Sequence, residues 1–66
     1  MAVAKTVEII SSSTQGIDDA VRSGIAKAGE TVNGIEGAWV KETKVIVRDD
    51  QVVEWRVTLK VTFIVS

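Results

Sequence analysis

The last third of the chain carries an apolar parity without a break. Val53, Trp55, Val57, Leu59, Val61, Phe63 and Val65 fall on one side of a period-two count, with Glu54, Arg56, Thr58, Lys60 and Thr62 on the other. That alternation predicts a β-strand over 52–65, with one face for a core and one for something polar. A single strand buries nothing by itself, so the rest of the chain must supply its partners and a cover.

Three other segments answer to that need. Lys5-Thr6-Val7-Glu8-Ile9-Ile10 alternates through Val7 and Ile9 and reads as a first strand, after a small apolar lead-in from Met1 to Ala4. A turn through Ser11–Gly16 precedes a helix, with Ser13 expected as its N-cap and Asp18 and Asp19 in the first turn, where the helix dipole favours negative charge. Ile17, Ala20, Val21, Gly24, Ile25, Ala28 and Val32 recur at three- and four-residue spacing and form one apolar stripe; Arg22, Lys27 and Glu30 stand away from it. Gly24 and Gly29 each weaken a helix by about 1 kcal/mol relative to Ala, so close backbone approach is their expected use. Asn33-Gly34 is the expected helix end, with Gly34 left-handed.

Residues 37–48 make a further strand, joined to the last by Asp49-Asp50-Gln51. Its parity is mixed: Val45 and Val47 share a set with Trp39, Lys41 and Thr43, while Val40 and Ile46 belong to the other. Mixed parity predicts a bulge or a strand wet on neither face throughout, and it leaves the face of Trp39 open. The order β-α-β-β makes the first two strands run the same way. An all-antiparallel sheet then needs the last strand in the middle, order 1-3-2, with the helix on its apolar face.

Sixty-six residues are expected to make one domain, 1–66. A chain this short has a marginal core and usually needs a staple. With no Cys and no His, disulfides and the usual zinc sites are excluded. Yet 45% of the residues are hydrophobic and the mean hydropathy is +0.22, a surplus that predicts self-association. Eight basic and nine acidic residues are interleaved, so no basic stripe marks a nucleic-acid binder. There is neither a membrane-length apolar run nor a signal-peptide core, and a soluble cytoplasmic protein is the expectation.

Few groups can carry chemistry. Without His, Cys or Tyr, acid–base work would fall to Asp, Glu or Lys, and no carboxylate pair marks a cleft. Asp49-Asp50 reads as a turn, since a calcium site needs six to eight oxygen ligands. The glycines of Gly24–Gly29 lack the Gly-Lys-Ser/Thr ending of a phosphate loop. Trp55 and Phe63 read as core. Trp39 stands differently, after a glycine-rich turn and beside Gly37 and Ala38, which leave one side of its ring open. On pattern alone, packing in a core or subunit interface is the commoner use of such a tryptophan, with ligand stacking the other.

Several stretches together resemble the dodecins, small flavin-binding proteins. They are Val7-Glu8-Ile9-Ile10 with Ser12-Ser13, Ala20-Val21, Gly24-Ile25-Ala26-Lys27-Ala28, Thr31-Val32, Gly37-Ala38-Trp39-Val40-Lys41-Glu42 and Glu54–Phe63. The resemblance implies β-α-β-β subunits in a hollow homododecamer, which would be the missing staple. It implies flavins (FMN, riboflavin or a related isoalloxazine) stacked between symmetry-related copies of Trp39, with their photochemistry quenched and no catalytic turnover. Where the family often has a glutamine at the isoalloxazine edge, this chain has Arg56, which donates only. Two uses stay open to it, a phosphorylated flavin or a neighbouring carboxylate. The other function compatible with the resemblance is a shell of the same fold that stores no flavin.

Overall fold

The computed structural model describes residues 3–65. Met1 and Ala2 of the expected lead-in lie outside the described residues. Strand β1 (Val3–Ser13) leads into helix α1 (Ile17–Ala28), and β2 (Ile35–Arg48) and β3 (Gln51–Val65) form a long hairpin. The three strands make one sheet in the order β1-β3-β2, antiparallel throughout, as the alternation of the last strand requires.

β1 is longer than its alternating core, because Val3 and Ala4 already pair with Val65 and Ile64, and Ser11–Ser13 continue the ladder to Trp55. Ser13 is therefore the last residue of a strand and not the helix N-cap. Gly16 holds that position with no side-chain cap. The Ser13 hydroxyl instead accepts from the Gln15 amide at 2.8 Å and donates to Asp19 Oδ2 at 2.6 Å. It closes the turn and fastens it to the first turn of the helix.

The expected stripe holds as far as Ala28. Ala20, Gly24 and Ala28 are buried, and Ile17, Val21 and Ile25 pack on a core of Val57, Leu59 and Val61, with Val7, Ile9 and Ile35 beside them. The helix stops there, six residues short of Gly34: turns through Gly29–Thr31 follow, and Val32 lies outside it. Gly34 does take a left-handed conformation, φ 79, but at the entry to β2, where its carbonyl accepts from the Ile64 amide at 3.0 Å. Gly24 sits where a Cβ would lie 2.9 Å from Ser11 Cβ and 3.1 Å from Leu59 Cδ1, so close approach explains it. Gly29 has ordinary right-handed geometry (φ −65), and a Cβ there would meet nothing nearer than 3.4 Å. No close approach requires it.

Asp49 and Asp50 have φ of 51 and 62, and Arg48 pairs directly with Gln51. These are the marks of a two-residue type I′ turn, whose twist suits a tight hairpin. Gln51 belongs to β3, not to the connection.

A helix of 12 residues spans about 18 Å, while the molecule is 52 Å long. α1 therefore covers only the middle of β1 and β3 and leaves the hairpin arm bare. Of the seven apolar residues on the helix-side face of β3, only Val57, Leu59 and Val61 are buried. Trp55 and Phe63 are half-buried and stand outside the central cluster, so neither is the core residue its parity predicts. Val40, Val45, Val47, Val52 and Val53 are exposed. The radius of gyration is 13.5 Å, against about 11 Å for a compact chain of this length. The exposed surface is 4884 Å², against roughly 4,100 Å² for a compact monomer of this mass. Both excesses come from the arm, which offers valines to water with nothing in the subunit to cover them.

Candidate functional site

The face of β3 that points away from α1 carries Glu54, Arg56, Thr58, Lys60 and Thr62, and cross-strand partners in an antiparallel ladder share a face. Register then assigns the neighbours. Lys60 lies between Glu8 and Trp39, Thr58 between Ile10 and Glu42, and Arg56 between Ser12 and Lys44. Trp39 thus belongs to the helix-free face.

Irregularities in β2 make this so. The ladder shifts between Ile35 and Gly37, between Val40 and Glu42, and between Ile46 and Val47. Past the second shift the faces exchange: Trp39 and Glu42, of opposite parity, both stand on the helix-free face, while Val40 pairs with Leu59 and Val45 with Trp55 on the helix side. The mixed parity of β2 is the trace of these bulges.

Trp39 is 60% exposed, on the stretch of this face where Glu8, Glu42, Thr58, Lys60 and Thr62 are its polar neighbours and the 71%-exposed Ile10 stands in the adjacent row. Gly37 leaves the space before it open, and Thr62 reaches across to donate to the Gly37 carbonyl at 3.0 Å. Lys60 lies over the indole, its Nζ 5.8 Å from the ring centroid. That is a cation–π contact, and it fixes which indole face is occupied from within the subunit.

Beyond this row a groove of about 550 Å³ is lined by Ile10, Glu42, Thr43, Lys44, Arg56 and Thr58. Arg56 does not stand free in it. Its Nε donates to Glu54 Oε2 at 2.7 Å. The Arg56 guanidinium, with help from the Ser12 hydroxyl and Arg48, holds the Glu54 carboxyl below its ordinary pKa. Of the two uses open to this arginine in the sequence, the neighbouring carboxylate is realised. The pair engages only Nε, so the remaining N–H donors of the guanidinium are available.

Trp39 and Arg56 share one face and stand two rows apart, about 13 Å along the strands. The donor set fits a flat aromatic ligand: an open indole face for stacking and N–H donors at the far end, with Ile10, Thr58 and Glu42 in the row between. Lys60 and Glu54, which shape the electrostatics of this face, were not legible as site residues in the sequence. The role of Lys60 depends on the cross-strand register, which the mixed parity of β2 conceals; Glu54 lies two residues from Arg56 on the same strand, and which partner its carboxylate takes is decided by side-chain geometry. Among the described residues no group of three His, Cys, Asp or Glu could hold a metal ion, and no helix is long and apolar enough to cross a membrane.

A family profile described as Dodecin matches residues 3–66. No curated protein is matched by the sequence. Among solved structures, the chain is similar to the dodecin of Streptomyces davaonensis, at 31% identity and TM-score 0.93, covering 98% of this chain and 96% of that one. It is similar to a mutant of the Thermus thermophilus dodecin at 29% identity and TM-score 0.94, covering 100% and 98%. A calcium dodecin from Mycobacterium tuberculosis, described as calcium-chelating with a novel calcium-binding site, matches at 28% identity and TM-score 0.82, covering 92% and 87%.

Proposed function

The chain belongs to the dodecin family, and from that premise we propose that it stores flavin, as one cytoplasmic domain assembled into a hollow homododecamer. The observation that supports this reading most directly is Trp39: a large apolar ring more than half exposed on a polar sheet face, flanked by small residues and reached by no core contact. The five bare valines of the hairpin arm support the assembly, because a lone subunit leaves them in water.

In this reading a two-fold axis between subunits turns one indole into a facing pair, and FMN, riboflavin or a related isoalloxazine lies between the two rings. Arg56, through the donors its Glu54 pair leaves unused, meets the polar edge of the ring system. When bound, the flavin supplies an excited state that accepts an electron from an electron-rich neighbour, and the Trp39 indole is that neighbour. Trp39 also excludes water from the stacked faces. Turnover has no part in the reading: the side chains of this face stack, orient and carry charge. Glu54, the carboxylate whose pKa is displaced, is held ionised by Arg56 and is unsuited to exchange a proton near neutral pH.

Titration of the purified protein with riboflavin and FMN tests this. We expect stoichiometric loss of flavin fluorescence in the wild type and none in Trp39→Ala, together with a sizing mass far above a 7.1 kDa subunit. Unchanged flavin fluorescence with the wild-type protein would leave an assembled shell without the storage role, and a monomer would overturn the assembly.

A further inference from the structure

Resting on the flavin-storage reading, we propose that Lys60 makes the Trp39 platform selective for flavins that carry an anionic substituent, so that charge preference lies with this lysine and not with Arg56. Two ion pairs are present among the described residues, Lys27–Glu30 and Arg56–Glu54. The second places a carboxylate 2.7 Å from the one arginine nitrogen it engages, and so offsets the charge that a ligand at the far end of the groove would feel. Lys60 has no such partner. Glu8 stands directly across the ladder from it, yet the Lys60 ammonium lies over the indole of its other neighbour, Trp39, and makes no ion pair within 4 Å.

The consequences for a ligand follow from this placement. The ammonium occupies one face of the indole, 5.8 Å from the ring centroid, so a flat ring stacks on the other and feels, across the thickness of the indole, a positive charge that no ion pair within 4 Å holds. Lys60 is half-buried, where a charge acts through less water than at the open surface. A phosphate on the ligand is stabilised by that charge; a hydroxyl in its place is not. The preference is electrostatic and partly solvent-screened, so it weakens as salt rises.

The probes are FMN, which carries a phosphate, and riboflavin, which is neutral, titrated by fluorescence at low and high salt. With the wild type we expect FMN to bind tighter than riboflavin by roughly three- to tenfold at low salt, with the gap closing at high salt. Lys60→Met keeps an apolar chain against the indole without the charge, and should abolish the gap between the two flavins. Lys60→Arg should retain the gap, and Arg56→Gln should leave most of it. Equal affinities in the wild type, a gap that survives Lys60→Met, or a gap lost in Arg56→Gln and kept in Lys60→Met would each overturn the assignment. Should neither flavin bind the wild type, the storage reading itself falls; should both bind equally well, storage stands and only the role of Lys60 fails.

Discussion

Replacing Gly24 by alanine sets two effects of known direction against each other. Gly24 lies mid-helix, where alanine is favoured by about 1 kcal/mol because the glycine backbone loses more freedom on folding. Against that gain, the new methyl would lie 2.9 Å from Ser11 Cβ, 3.1 Å from Ser11 Oγ and 3.1 Å from Leu59 Cδ1. Carbon atoms in contact prefer about 3.5–4.0 Å. Rotating the hydroxyl can relieve the Oγ contact, but Ser11 Cβ is fixed to the backbone of β1 and Leu59 is wholly buried. Helix and sheet must therefore part by some tenths of an ångström along their whole contact. Over-packing of this kind costs about 1–3 kcal/mol. With a contact below 3.0 Å the upper part of that range applies, so Gly24→Ala should lose about 1–2 kcal/mol net. Urea unfolding followed by circular dichroism, at one fixed protomer concentration because assembly is coupled to folding, measures it. Ser11→Gly removes the opposing Cβ, so the double variant should be more stable than the two single losses added together, by more than 0.5 kcal/mol. Gly29→Ala is the contrast: at φ −65 with no contact under 3.4 Å, it should be neutral or stabilising by up to about 1 kcal/mol. A Gly24→Ala variant as stable as the wild type, or more so, would refute the argument that helix–sheet contact demands a glycine.

Glu54 has its folded-state pKa lowered by Arg56, so the pair contributes stability above the ordinary carboxylate value of 4.5 and loses it as pH falls through the lower folded value. In thermal unfolding scans from pH 6 downwards, Glu54→Gln should therefore be slightly less stable than wild type above that window and converge with it below; parallel profiles would show that the pair adds nothing. Val47→Asp places a charge among the bare valines of the arm, away from the core. It should cut the assembly to smaller species by sedimentation while the subunit keeps its β-sheet circular dichroism, and an unchanged assembly would show that the arm is covered by something other than a second copy.

Much of the architecture was legible because single-residue periodicities are local. Period two across 53–65 places Val57, Leu59 and Val61 on the helix side, the stripe from Ile17 to Ala28 supplies their cover, and chain direction alone puts β3 between β1 and β2. Gly24 too announced itself, as a costly residue inside an otherwise consistent helix. Errors fall at ends, where competing hydrogen bonds decide. The Ser13 hydroxyl went to the Gln15 amide and Asp19 within a longer ladder, and the helix ended at Ala28 in turn hydrogen bonds before the Asn33-Gly34 signal. Trp55 and Phe63 have the right parity for the core, but parity says nothing about how far a helix reaches.

The sequence by itself determined which residues could share a face, that an apolar surplus needs a partner, and that an indole beside small residues stands apart from the core pattern. Only the tertiary structure decided that Trp39 shares a face with Arg56, that Glu54 takes one of that arginine's nitrogens, and that Lys60 lies over the indole. The first and the last of these depend on a register, and a bulge adds one residue to β2 between Val40 and Glu42. That single extra residue exchanges the faces of everything beyond it, and no count along one strand can see the other strand against which it is an extra.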